Sequence, residues 1–194
     1  LENFKWKAPD FLNGNKQKVT VKTLIDNWRK ELNRINADQL EGVPLTDNEF
    51  KQVMAQVNRI SNSYEAAKIL AMEESVGKID GIFRDDNPKI TRKQITLTIF
   101  KKAQVRGGDS SYEIAREVVT ENNNRFDIVL LINGLPLINI EQKRTDKSLK
   151  EAYGQFIRYY KDGEYTNNFM AFSQMMVITT EVETRYFATP KSLK

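Results

Sequence analysis

Apolar residues recur at helical spacing near the start of the chain. Leu24, Trp28, Leu32 and Ile35 lie three or four positions apart, which predicts a helix over residues 19–36. This spacing brings the four side chains to one face of the helix, where they can pack against a core.

Two further helices are indicated in the same part of the chain. Thr46-Asp47-Asn48-Glu49 has the pattern of a capping box, which predicts that a helix begins after Thr46. The next helix is predicted from Glu65 to Glu74, with Ser61 or Ser63 as its N-cap. Residues 1–90 are therefore expected to be mainly helical.

Beyond residue 90 the pattern is typical of strands, with one more helix. Runs of β-branched and apolar residues predict strands at residues 95–100, 174–179 and 185–188. Residues 112–120 fit a strand or a helix, with a strand favoured at their end. An apolar stripe predicts a helix over residues 148–160. The fold class is therefore mixed α/β.

The clearest local signal in this region is a β-hairpin. Apolar runs at residues 126–132 and 137–140 flank Asn133-Gly134, a dipeptide that favours a two-residue turn. Apolar residues occupy odd and even positions in both runs, so we expect both faces of the hairpin to be buried.

The composition narrows the possible chemistry. A chain of 194 residues with 40% hydrophobic residues is expected to form one domain, and no apolar run approaches the roughly 20 residues of a membrane span. The absence of cysteine fits a cytoplasmic location. Without cysteine or histidine, thiolate and imidazole metal sites and His-dependent nucleophiles are excluded. The net charge of +4 is compatible with nucleic acid, although many soluble domains carry such a charge.

Two acidic residues are expected to meet at the open end of the hairpin. Pairing across a turn at residues 133–134 places Asp127 opposite Ile140 and next to Glu141. Glu141 and Lys143 share parity along the strand, so both point to the same face. Two neighbouring carboxylates are unfavourable unless a cation compensates their charge.

These residue types suit phosphodiester hydrolysis with Mg²⁺. Asp127 and Glu141 can ligate a hard cation, and the backbone carbonyl of Gln142 can supply another ligand. Bound metal activates water, while Lys143 can position that water or stabilise the transition state. The short pattern also arises by chance, and charges that merely solvate a strand end would show the same residues.

The helix after the hairpin carries Gln155 and Tyr159 one turn apart, on the flank of its apolar stripe. From there both can reach the same cleft and bind a phosphate or a base edge. Equally, both can simply border the core.

Basic side chains surround this region and can contact DNA phosphates, or they can form an ordinary solvated face. They are Lys143, Arg144, Lys147, Lys150, Arg158 and Lys161.

Three segments together resemble the nuclease core of type I restriction R subunits, a branch of the PD-(D/E)xK nucleases. The second of these segments, residues 151–159, matches the Q-x-x-x-Y motif of that branch through Gln155 and Tyr159. The joint occurrence of all three segments is more specific than any one motif. The close match covers roughly residues 120–190, and the first 90 residues fit the helical N-terminal region of the family more loosely. The segments are residues 124–137 with 140–143, residues 151–159 and residues 184–188.

The resemblance implies a single nuclease domain over residues 1–194, with a core at residues 91–194 in which helices flank a central mixed sheet. It implies that Asp127 and Glu141 bind Mg²⁺ and that Lys143 is the catalytic lysine. Gln155 and Tyr159 would then form an auxiliary motif that binds DNA or orders the site.

The implied activity is that of a type I site-specific deoxyribonuclease, which cuts double-stranded DNA after ATP-driven translocation. This chain contains no G-x-x-x-x-G-K-[ST] motif, so ATP binding is expected in motor domains outside it. The implied partners are double-stranded DNA and the methylation and specificity subunits of a restriction-modification complex.

The sequence departs from the family pattern in two places. Phe126 precedes Asp127 where the superfamily name has proline, and Gln142 stands where an aliphatic residue is common. An acidic residue from an early helix sometimes joins the site in this superfamily. The candidates for it are Glu31, Glu49 and Glu65, or a residue that precedes Leu1 in a longer protein.

Two other functions remain open at this point. One is a catalytically inactive DNA-binding or docking module that keeps the same fold. The other is a different PD-(D/E)xK enzyme, such as a repair nuclease or a junction resolvase.

Overall fold

The computed structural model, which describes residues 5–71, 76–105, 108–144 and 149–192, contains three consecutive helices in its N-terminal part and mainly strands after them. The predicted mixed α/β class is confirmed. The described ranges also contain two short 3-10 helices, at Asp10–Leu12 and Phe169–Phe172. The α-helices in the described ranges are α1 (Val21–Ile35), α2 (Asp47–Val57), α3 (Ser63–Leu70), α4 (Lys102–Val105) and α5 (Leu149–Lys161). The strands are β1 (Val19–Thr20), β2 (Val76–Phe83), β3 (Gln94–Lys101), β4 (Tyr112–Val119), β5 (Arg125–Ile132), β6 (Leu135–Gln142), β7 (Met175–Thr179) and β8 (Thr184–Ala188).

A six-stranded mixed sheet forms the centre of the molecule, with the strand order β1-β4-β5-β6-β7-β8. The β1–β4 and β6–β7 pairs are parallel, and the other three pairs are antiparallel. Helix α5 belongs to the crossover that joins the parallel strands β6 and β7. The ends of β4, β6 and β7 and the beginnings of β5 and β8 therefore meet at one edge of the sheet.

Helix α1 covers the hairpin of β5 and β6 through a tryptophan in the core. Trp28 is fully buried, and its ring lies 5.1 Å from the ring of Phe169 and 6.2 Å from that of Phe172. A Cβ atom on Gly134, in the hairpin turn, would lie only 2.8 Å from the Cα of Trp28. Glycine is thus required where the turn meets the helix.

A second, two-stranded sheet of β2 and β3 packs against the N-terminal helices. It is joined to α2 by a buried ion pair, in which the Nε of Arg84 lies 2.9 Å from the Oε1 of Glu49. Arg84 also donates to the carbonyls of Leu40 and Val43, so the remaining donors of the buried guanidinium have acceptors.

The predicted helix starts are largely confirmed. Helix α1 begins after the N-cap Thr20, and α2 begins after Thr46 with the predicted capping box. The prediction of a serine N-cap for α3 was wrong, because the side chain of Asn62 accepts the hydrogen bonds from the first turn. Asparagine forms such caps as readily as serine does.

Strand β2 lies inside the region that was predicted to be mainly helical. Its buried residues Ile79 and Ile82 are three positions apart because Gly81, with a φ of 71°, introduces an irregularity between them. A spacing of three is also typical of a helix, so the alternation of apolar and polar residues expected for a strand is not visible in the sequence. Residues 112–119 are a strand throughout, as was favoured for their end. No helix in the described parts of the chain has the length and apolar character needed to cross a bilayer.

Candidate active site

The hairpin brings Asp127 and Glu141 closer than the sequence predicted. The two-residue turn at Asn133-Gly134 is confirmed, with φ values of 52° and 76°. A bulge after Leu130 then shifts the pairing by one residue, so that Ile128 pairs with Ile140. The same register sets Asp127 across from Glu141, and the predicted pairing of Asp127 with Ile140 was wrong.

The bulge was not visible in the sequence because it lies within a continuous apolar run. Its effect is to bring the two carboxylates onto facing positions at the edge of the sheet. The backbone N–H of Gln142 donates to the Oδ2 of Asp127 at 2.8 Å, which fixes the orientation of that carboxylate.

Lys143 completes the cluster, as predicted. Its Nζ lies 3.6 Å from the Oε2 of Glu141 and 4.0 Å from the Oδ2 of Asp127. The backbone N–H of Lys143 donates to the carbonyl of Thr179, which ties this residue to the end of β7. The amine is therefore held over both carboxylates.

Helix α5 supplies the next contacts. The Nε2 of Gln155 donates to the Oε2 of Glu141 and to the hydroxyl of Tyr159, both at 2.7 Å. The Tyr159 hydroxyl in turn donates to the carbonyl of Arg125 at 2.8 Å. Gln155 therefore contacts the cluster directly, while Tyr159 both supports Gln155 and packs its buried ring on Phe126.

Glu141 lies in an environment that disfavours its charge. Its side chain is 6% exposed. Burial, and then the charge of Asp127, raise its pKa from 4.5 to about 8, while Lys143 opposes the shift. Burial, and then the charge of Glu141, also raise the pKa of Tyr159, so that its hydroxyl remains a neutral donor.

The donors at this edge fit a small hard cation that keeps part of its water shell. Asp127 and Glu141 provide two carboxylates on facing strands, and Gln142 provides a backbone carbonyl beside them. Mg²⁺ is commonly held by one or two carboxylates, with waters and phosphate oxygens as its other ligands. No group of three or more acidic side chains that could hold a metal occurs among the described residues.

Four of the other predicted basic residues fall within the described parts of the chain, and all four are exposed. Arg144 is exposed directly after β6, and Arg158 is exposed with its guanidinium 5.2 Å from the centre of the Tyr159 ring. Lys150 and Lys161, at the two ends of α5, are also exposed. Lys147 lies outside the described residues.

The three candidates for an additional acidic ligand are each engaged with other groups. Glu31 accepts hydrogen bonds from Arg34 and Ser111. Glu49 is paired with Arg84 in the core, and Glu65 is paired with Lys68 on α3. The structure therefore supports none of them as a ligand.

One acidic residue near the cluster was missed from the sequence. The pairs Arg116–Ile128 and Val118–Phe126 place Glu117 of β4 opposite Asp127 of β5. Glu117 has a φ of 54° and forms an ion pair with the Nε of Arg125 at 2.8 Å. Nothing in the local sequence signals this position, since a single glutamate in a strand is ordinarily a surface residue.

Comparison with known proteins gives the family. Residues 2–194 match the family described as Type I restriction enzyme R protein N terminus (HSDR_N). The chain belongs to this family. The predicted restriction-endonuclease-like core, with helices flanking a central mixed sheet, agrees with this membership.

Curated relatives carry corresponding names. The chain is 35% identical over 181 residues to the type I restriction enzyme SauCOLORF180P endonuclease subunit of Staphylococcus aureus (strain COL), which is 91% of this chain and 18% of the relative. It is 31% identical over 175 residues to the SsaAORF53P endonuclease subunit of Staphylococcus saprophyticus, covering 88% of this chain and 17% of the relative.

A more distant relative comes from Escherichia coli. The chain is 31% identical over 113 residues to the type I restriction enzyme EcoprrI endonuclease subunit, covering 58% of this chain and 31% of the relative. The chain spans less than a fifth of the length of the staphylococcal relatives. It corresponds to one part of a much larger type of subunit.

Proposed function

We propose that this HSDR_N domain is the Mg²⁺-dependent endonuclease of a type I restriction enzyme subunit and hydrolyses phosphodiester bonds of double-stranded DNA. The observation that carries the proposal is the convergence of Asp127, Glu141 and Lys143 at one sheet edge. The names of the curated relatives support the same activity.

Each residue of the cluster has a distinct task. Asp127 and Glu141, with the carbonyl of Gln142, would hold Mg²⁺, which lowers the pKa of a bound water and offsets charge on a phosphoryl oxygen. Lys143 lies beside both carboxylates and is placed to orient the attacking water and to stabilise negative charge on the phosphate. Gln155 holds Glu141 in position through its amide, and Tyr159 holds Gln155.

Exposed cations next to the cluster would bind the DNA backbone. Arg144 directly follows Lys143 in the chain, and Arg158 lies on α5 with Gln155. We assign both arginines, together with Lys147, to flanking phosphates. The methylation and specificity subunits of the complex would select the DNA. ATP-driven translocation would belong to other parts of the full-length subunit.

The test is DNA cleavage by the full-length subunit in its assembled complex. Glu141→Ala and Lys143→Ala are each expected to abolish cleavage while the thermal unfolding of the protein stays cooperative. The first variant removes a metal ligand, and the second removes the amine beside the scissile phosphate.

Two matched controls separate the site from general charge effects. Glu65→Ala and Lys93→Ala remove an exposed carboxylate and an exposed amine from other parts of the domain and are expected to leave cleavage unchanged. The Glu65 variant also tests whether that residue is an additional ligand. Cleavage at the wild-type rate by Glu141→Ala or Lys143→Ala would refute the assignment.

A further inference from the structure

A cleft of about 730 Å³ opens at the beginning of α1, beside the loop between β4 and β5. Its floor is apolar and includes Val21, Ile25, Met54 and Phe169, which are partly or fully buried. A concave surface of this size and character is typical of a site for a small organic group. None of the residues proposed for catalysis lines it.

The cleft adjoins the edge of the sheet that carries Asp127 and Glu141, which we call the catalytic edge. Val119, which lines the cleft, pairs with Arg125 across β4 and β5. The carbonyl of Arg125 accepts the hydrogen bond of Tyr159, and Tyr159 contacts Gln155 in the cluster. Strand β4 lies two strand spacings from β6, which is about 10 Å. About three nucleotides of one DNA strand span the same distance.

The rim of the cleft carries polar side chains for which the described parts of the chain provide no partner. Lys18, Asn58, Asn123 and Asn167 are exposed, and their side chains form no hydrogen bond or ion pair with any residue that the structure describes. Asn123 and Asn167 adopt left-handed backbone conformations, with φ values of 58° and 54°. These amides and this amine point to a ligand with hydrogen-bonding edges and a negative charge.

The two acidic side chains that line the cleft differ in how far hydrogen bonds compensate their charge. Glu164 is buried and accepts hydrogen bonds from Thr120, Asn122 and Asn124, so its charge is compensated. Glu121 is exposed on the rim and has no such donors among the described residues. Removing the negative charge of Glu121 should therefore strengthen the binding of an anionic ligand.

We propose that this cleft binds an unpaired nucleotide of the DNA strand that passes the catalytic cluster. The base would lie on the apolar floor, the amides of Asn58, Asn123 and Asn167 would meet its polar edges, and Lys18 would bind its phosphate. This inference rests on the proposed function, since it takes DNA as the substrate of the neighbouring cluster.

The experiment compares two probes by fluorescence anisotropy, with a chelator present so that no DNA is cut. One probe is a short blunt DNA duplex, and the other is the same duplex with a single-stranded thymidine tail. Lys18→Gln and Asn123→Asp are expected to weaken binding of the tailed probe about fivefold to tenfold each, with little change for the blunt probe. Glu121→Gln is expected to strengthen binding of the tailed probe.

Lys16→Gln is the matched control. Lys16 is two positions from Lys18, is paired with Asp10 and does not line the cleft, so its loss should leave tailed-probe binding unchanged. The inference is overturned if Lys18→Gln behaves like Lys16→Gln, or if the cleft variants weaken both probes equally. The second result would show an ordinary contact with the duplex backbone.

Cleavage by Glu141→Ala, measured separately, distinguishes the two proposals. If that variant is inactive while the cleft variants bind both probes normally, the cleft inference alone fails. If that variant cleaves DNA while the cleft variants lose tailed-probe affinity, the catalytic assignment fails and the cleft inference stands.

Discussion

At the scale of single residues, Glu141 of the candidate site lies in an environment that disfavours its charge. Glu141 is buried, faces Asp127 and receives a hydrogen bond from Gln155. A buried carboxylate next to a second carboxylate requires a proton or a cation. The Lys143 amine supplies only part of that compensation, because burial and Asp127 still raise the pKa of Glu141 to about 8.

This environment predicts that the metal-free domain loses stability as pH rises. The folded-state pKa of Glu141 lies above its ordinary value of 4.5. The contribution of Glu141 to stability is therefore complete below pH 4.5 and is lost as pH rises through about 8. The full shift corresponds to about 4 to 5 kcal/mol as an upper limit.

Glu141→Gln removes that titration and keeps an acceptor for Gln155. In chelator, it should raise the free energy of unfolding above the wild-type value at pH 9, with a much smaller effect at pH 5. Urea unfolding at the two pH values measures the difference. Equal effects of the substitution at both pH values would contradict the assigned environment.

Gln155 is predicted to act through Glu141. Gln155→Leu removes the donor that orients the carboxylate and is expected to weaken Mn²⁺ binding about tenfold to hundredfold, measured by calorimetry. Tyr159→Phe leaves the contact between Gln155 and Glu141 in place, so it should weaken Mn²⁺ binding much less and cost about 1 kcal/mol of stability. Equal losses of affinity in the two variants would argue against this order of contacts.

At the scale of secondary structure, the hairpin of β5 and β6 is the element that builds the site. Its turn is fixed by two residues with positive φ, and its register is set by the bulge after Leu130. A shift of one residue along a strand turns its side chains to the other face of the sheet. The bulge therefore decides which residue faces Glu141.

Two glycines give a direct test of the hairpin turn. Gly134→Ala should destabilise the domain by at least about 2 kcal/mol, because alanine is strained at a φ of 76° and its Cβ would lie 2.8 Å from the Cα of Trp28. Gly154→Ala is the control, since no atom lies within 4 Å of the added Cβ in helix α5, and it should stabilise the domain by about 1 kcal/mol. Denaturant unfolding measures both changes, and a neutral Gly134→Ala would show that the turn is not required.

At the scale of the whole molecule, the fold gathers groups that are distant in sequence. The sheet brings β5 and β6 together, α5 contributes Gln155 and Tyr159, and β7 anchors Lys143 through Thr179. A metal ion that binds only the folded arrangement stabilises the fold as a whole.

Mg²⁺ binding should therefore stabilise the domain. At about one hundred times its dissociation constant, Mg²⁺ is expected to add about 2.7 kcal/mol to the free energy of unfolding. For a domain of this size, this corresponds to a rise of roughly 5 to 10 °C in Tm by scanning calorimetry. Asp127→Asn should abolish the rise. An equal rise in that variant would place the ion elsewhere, and no rise in the wild type would favour an inactive module of the same fold.

Much of the local structure could be predicted from the sequence. The spacing of Leu24, Trp28 and Leu32 predicted α1, and the Thr46 capping box predicted the start of α2. The Asn133-Gly134 turn predicted the hairpin and the meeting of Asp127 with Glu141. Each of these signals depends on contacts between residues close in sequence, and such contacts leave a pattern in the sequence itself.

Only the tertiary structure decided the rest. The position of Asp127 opposite Glu141 depends on the bulge after Leu130, and the contact of Gln155 with Glu141 depends on where α5 packs. The position of Glu117 opposite Asp127 depends on the pairing of β4 with β5. The cleft near the candidate site likewise needs α1, α2 and the loop after β4 in one place. These features arise from packing between elements distant in sequence, which local propensity does not encode. The sequence by itself thus determined which chemical groups are present, and tertiary packing determined which of them meet.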